Sequence, residues 1–234
     1  MKNKELIYKN SWVYKLNNGF NINDLSCVKN IEILNDNISI INISKVSYNH
    51  NLNYNIDRLK HLKEKLNDDK EFKDFMQMFS DTVTIENHCQ ILILKDKKVL
   101  IILCDDIRDW EDFFSKLNLK KVTVINKKII NYFIEKEYCS NILSLTISND
   151  ENDSMIDAFN IHGSNIQLSD NYIDTIENKN SEIINCIFQP KDGNFLITLR
   201  KDNNIELSKY VSSSTHLKTL NDICLLLYEY DDTI

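Results

Sequence analysis

Five histidines (His50, His61, His88, His162, His216) and six cysteines (Cys27, Cys89, Cys104, Cys139, Cys186, Cys224) are the residues best suited to nucleophilic or metal chemistry. They are dispersed along the chain. No His-x-His, His-Glu-x-x-His or Cys-x-x-Cys spacing occurs, so no local metal clip or redox dithiol is indicated, and no metal site is predicted. His88 and Cys89 are adjacent, and neighbours on a strand point to opposite faces, which keeps them from sharing one ion. Several cysteines sit within apolar runs, such as Leu103-Cys104 and Asn185-Cys186-Ile187. Those runs predict reduced, buried thiols that act as small hydrophobes. Gly19, Gly163 and Gly193 are the only glycines, and they are far apart. A phosphate-cradling loop needs closely spaced glycines so that backbone N–H groups can approach the anion. The dinucleotide fingerprint, the P-loop and the nucleophile elbow are all missing, and no cofactor is expected.

Carboxylates and lysines are plentiful enough to test a metal-dependent nuclease. Asp81 or Glu86, followed by Asp96-Lys97-Lys98, has the acid and acid-x-Lys order of restriction-endonuclease-like enzymes. There the acids hold Mg²⁺ and a lysine, here Lys98, attends the attacked phosphate. Against that reading, Asp96 falls in a hairpin turn, not on a strand. The most basic window, residues 95–136, holds Lys95, Lys97, Lys98, Lys120, Lys121, Lys127 and Lys128. These are the candidate nucleic-acid contacts. Only three arginines and a net charge of −7 argue for a solvated mixed face instead.

The acidic charge is concentrated. Residues 149–182 carry eight acids and one lysine, which equals the net charge of the whole chain. A solvated connecting segment is the simplest reading. Phe159, Ile161, Ile166 and Tyr172 lie in the same stretch, scattered without helical regularity. They either pin the loop to its own domain or anchor a partner. In the second case Asp153, Asp157, Phe159, Asp170, Tyr172 and Asp174 form a docking site that steers a basic protein surface.

Positioning these residues falls to a mixed set of elements. Ile38-Ser-Ile-Ile-Asn-Ile-Ser-Lys-Val46 alternates in period two, and with residues 31–34 it predicts a hairpin. Two helical stripes follow, Ile56/Leu59/Leu62/Leu66 and Phe72/Phe75/Met76/Phe79. Residues 83–94 and 98–104 are near-continuous apolar runs, which predicts strands buried on both faces. Trp110, Phe113, Phe114 and Leu117 have helical spacing over residues 107–117. A strand over 121–125, a helix over 126–138 and a strand over 142–147 come next, a strand–helix alternation that suggests a local α/β unit. Pro190-Lys-Asp-Gly193 is the strongest turn signal and opens a three-strand meander. A final helix turns Leu217, Leu220, Cys224 and Leu227 inward.

The expected fold is α+β: a central mixed β-sheet with flanking helices and a C-terminal antiparallel meander plus helix. Residues 1–148 form an α/β domain with an N-terminal β-hairpin, 149–182 an acidic connecting segment, and 183–234 the meander and helix, packed on the first part as one domain or standing apart. No apolar run reaches the ~18 residues of a membrane span, and the first ten residues hold no signal-peptide core. A cytoplasmic location is therefore expected. The 33 Ile, 32 Asn and 25 Lys have A/T-rich codons, which predicts an AT-rich bacterial or phage genome. With no catalytic signature, the expected role is a non-enzymatic subunit or accessory factor of a larger assembly. The alternative is a metal-dependent nuclease or another nucleic-acid-processing enzyme.

Overall fold

The computed structural model describes residues 8–16, 30–33, 37–48, 84–115, 117, 119–149, 158–177, 181–208 and 211–232. In chain order they form β1 (Asn10–Lys15), β2 (Asn30–Ile33), β3 (Ile38–Tyr48), β4 (Thr84–Leu94), β5 (Val99–Leu103), a 3₁₀ turn (Ile107–Trp110) running into α1 (Glu111–Ser115), and β6 (Lys120–Lys121). Then come α2 (Lys127–Glu135), β7 (Cys139–Asn149), β8 (Ala158–His162), a 3₁₀ turn (Ile166–Leu168), α3 (Asp170–Glu177), β9 (Ser181–Pro190), β10 (Ile197–Arg200), β11 (Asn204–Leu207) and α4 (Ser213–Asp232). The fold is α+β. The two helical stripes between residues 56 and 79 lie outside the described residues.

The strands form one sheet in the order β2-β3-β4-β5-β1-β11-β10-β9-β7-β8, with β6 also paired to β1. Every pairing among the described residues is antiparallel. The mixed sheet suggested by the alternation over 98–147 is not what forms. β1 enters between β5 and β11, the last strand of the C-terminal meander, so β5 and β7 never become neighbours and no parallel crossover closes. The strand expected over 121–125 shrinks to Lys120–Lys121, because β11 already occupies the same side of β1 along Asn10–Trp12. Val124 and Ile125 are still buried.

Both faces of the N-terminal half are covered. Leu92, Leu94, Ile101 and Leu103 point into a large core with Ile129, Ile130 and Phe133 of α2 and Leu220, Ile223, Cys224 and Leu227 of α4. Ile91, Ile93, Leu100 and Ile102 point the other way, against Trp110 and Phe114. This is why β4 and β5 read as unbroken apolar runs. Trp110 anchors its segment as expected; the Phe113 side chain lies outside the described residues. Asn126 Oδ1 accepts the Ile129 N–H (2.8 Å) and caps α2. At the other end Tyr138 N–H donates to the Phe133 carbonyl (3.0 Å) and Glu137 N–H to that of Ile134 (2.9 Å), a Schellman closure.

That closure puts Glu137 at φ 56°, where glycine is the usual residue. Lys98, Asn165 and Asn203 are left-handed too, and neither described glycine is. Among the described residues, this glycine-poor chain assigns its left-handed positions to asparagine and, less comfortably, to Lys98 and Glu137.

Candidate docking surface at the sheet edge

Within the acidic stretch, residues 158–177 are folded. β8 pairs with β7 from Ser148↔Ala158 to Ser144↔His162 and is the last strand of the sheet. The chain then turns through Asn165 and α3. Asn165 N–H donates to Asn141 Oδ1 (2.6 Å), and Ile142 N–H donates to Gln167 Oε1 (3.0 Å), beside a register shift in the β7–β9 pairing. Ser169 Oγ accepts the Tyr172 N–H (3.3 Å) and caps α3, while Asp170 sits in the first turn, where the helix dipole favours an acid.

α3 has two distinct faces. Tyr172 is 5% exposed and packs in the core with Ile166, and Ile176 lies against them. The Tyr172 hydroxyl donates to Asn131 Oδ1 (2.9 Å), and burial pushes its pKa up. A docking anchor must be reachable, so Tyr172 serves the core and not the surface proposed for it from sequence. Opposite it, Asp170, Ile173, Asp174 and Glu177 form an exposed stripe at helical spacing. Ile173 is 47% exposed among these three acids, Leu168 is 78% exposed just before the helix, and Phe159 on β8 is 41% exposed. A groove of about 600 Å³ runs between β8 and α3, lined by Phe159, Ile161, His162, Asn171 and Asp174 among others. Asp153 and Asp157 lie outside the described residues.

Sequence does not single out Leu168 or Ile173, and it marks His162 only as one of five dispersed histidines. The signal was present but divided: Phe159 and Ile161 follow period two on a strand, while Tyr172 and Ile176 follow period four on a helix. Two short elements with different periods look irregular when read as one segment.

Among the described residues, the nuclease candidates are not brought together. Asp96 and Lys98 lie in the turn after Leu94, and Glu86 lies eight residues back along β4, about 27 Å away at ~3.4 Å per strand residue. Asp96 instead pairs with Lys97 Nζ (2.9 Å), which lowers its carboxyl pKa, and Lys97 Nζ also donates to Asn221 Oδ1 (3.2 Å) on α4. Asp81 lies outside the described residues. No cluster of three or more His, Cys, Asp or Glu side chains able to hold a metal ion occurs among the described residues.

The lysines divide into two groups. Lys120 pairs with Lys15 across β6 and β1, and the Leu16 N–H donates to the Lys98 carbonyl (2.7 Å), which places Lys98, Lys120 and Lys121 at one corner with exposed Lys95 on the same turn as Lys98. Lys127 and Lys128 open α2 beside Glu177 and Glu182 in a groove of about 560 Å³. Lys127 Nζ donates to Ser181 Oγ (2.8 Å), and burial lowers its pKa. Acids therefore interrupt any continuous basic track of the kind that follows a phosphate backbone. No helix among the described residues is long and apolar enough to cross a membrane. Comparison with known proteins finds neither a matching family model nor a matching curated sequence.

Proposed function

We propose that this protein is a cytoplasmic, non-enzymatic subunit or accessory factor of a larger bacterial or phage-encoded assembly, and that its β8–α3 surface docks a basic region of another protein. The observation that carries the reading is the outward stripe of α3, where Ile173 stands exposed among Asp170, Asp174 and Glu177. An exposed apolar residue ringed by like charges offers contact area and long-range steering together. Capping by Ser169 and the bonds of Asn165 and Gln167 to β7 hold the stripe in place before binding, which lowers the ordering cost.

Native co-purification tests this, comparing the wild-type chain with the double variant Asp170→Lys/Asp174→Lys. Both positions are exposed, so the variant should fold, with a melting temperature lowered by only a few degrees because lysine at position 170 opposes the helix dipole. A partner retained by the wild type and lost by the variant at low salt supports docking here. Equal retention refutes it, and Mg²⁺-dependent cleavage of nucleic acid by the pure protein would instead favour the nuclease alternative.

A further inference from the structure

β8 ends the sheet, and the direction of its backbone groups can be worked out. Gly163 N–H donates to the Leu143 carbonyl (3.2 Å), and the β7–β8 register continues from there without a shift to Ser148↔Ala158. In an antiparallel pair, hydrogen-bonded and non-hydrogen-bonded positions alternate. Ile161 and Phe159 therefore exchange bonds with β7. The N–H and C=O groups of Ala158, Asn160 and His162 point away from it, toward the sheet edge.

No strand among the described residues pairs with that side of β8. Proteins usually blunt such an edge with lysine, proline or a bulge, and Ala-Phe-Asn-Ile-His contains none of these. We infer that β8 is a site of strand addition: an extended, basic segment of a partner protein pairs with the outward backbone of Ala158, Asn160 and His162. Its alternate side chains reach the groove between β8 and α3. This inference rests on the docking surface proposed above and specifies how it binds.

Charge selects the occupant. Asp174 lines the groove and continues the acidic stripe of α3, so lysine or arginine on the added strand meets opposite charge. A second copy of this chain would bring the same acids edge to edge and be repelled.

The test uses amide NMR and a synthetic peptide alternating lysine with valine. Binding to the wild-type chain should shift the Ala158, Asn160 and His162 amides and slow their hydrogen exchange. Asn160→Pro removes one outward N–H and no backbone bond to β7, and should weaken binding by about fivefold or more. Asn160→Ala, which loses only the side-chain bond from Thr146 Oγ1 (2.6 Å), should bind like the wild type. Should Asn160→Pro not fold, a peptide N-methylated on its pairing side tests the same bonds against the wild-type chain and should bind correspondingly worse. No binding to the wild type, or equal binding by Asn160→Pro or by the methylated peptide, overturns strand addition. If Asp170→Lys/Asp174→Lys still abolishes binding in the latter case, docking at α3 stands and only the strand mode fails. Edge-amide protection that grows with protein concentration alone would mean self-pairing and overturn the basic occupant.

Discussion

His216 should make this protein progressively less stable in mild acid. Its side chain lies on the buried face of α4, 2% exposed, and Nε2 has no hydrogen-bond partner among the described residues. Burial pushes its pKa down to about 4, against 6.5 for the imidazole in an unfolded chain. Between those values the unfolded state binds a proton that the folded state refuses. Stability from this group is therefore complete above pH 6.5 and is lost as pH falls toward 4. The slope is about 1.4 kcal/mol per pH unit, or roughly 3 kcal/mol across the whole window. His216→Leu replaces the unpaired imidazole with an apolar side chain of similar volume, so stability near pH 7 should change by less than about 1.5 kcal/mol. Urea unfolding followed by the fluorescence of Trp12 and Trp110, repeated from pH 7.5 to 4.5, should show the two proteins diverging. The variant should be more stable by roughly 2–3 kcal/mol at the acid end. Asp222, whose carboxyl pKa burial raises, gives a slope of opposite sign in both proteins and cancels in the comparison. Parallel stability curves over the whole range would refute the assignment.

Further outcomes are expected elsewhere. Glu137→Gly relieves a left-handed backbone, loses only an exposed ion pair with Lys191, and should raise stability by about 0.5–1 kcal/mol in the same urea assay. Trp110→Ala should cost roughly 3–5 kcal/mol, since its ring is buried and tilted against Phe114 at 6.3 Å; an unchanged melting temperature would mean the second face of the sheet is not held by this segment. Cys89, Cys104, Cys139, Cys186 and Cys224 are buried and form no disulfide, so a thiol reagent should label them slowly in the native protein and label all six cysteines in urea. Two fewer labelled thiols in urea without reductant would reveal a disulfide.

Much of the local structure was legible in the chain. The runs 91–94 and 99–103 have apolar side chains at every position, the pattern of a strand covered on both faces. The alternation over 38–46 marks a strand of a hairpin, although its half-buried pattern does not hold, since Ser39, Ile40, Ile41 and Ile43 are buried on both faces. Leu220, Cys224 and Leu227 mark the inner face of α4. Each of these patterns reports which side of an element avoids water, a property written in consecutive residues. Which strands become neighbours is not written there. β1 lies between β5 and β11 because Val13 bonds Asn203 through both the backbone (3.0 Å) and the Asn203 side chain (2.7 Å), across 190 residues of sequence. That pairing separates β5 from β7 and makes the sheet antiparallel. The same long-range order leaves β8 at the edge, with Tyr172 turned inward and Ile173 outward beside it. Residue type alone does not distinguish these two, since both are large and apolar. Only the arrival of α2, with Asn131 ready to accept the tyrosine hydroxyl, decides which of them is buried and which is left for a partner.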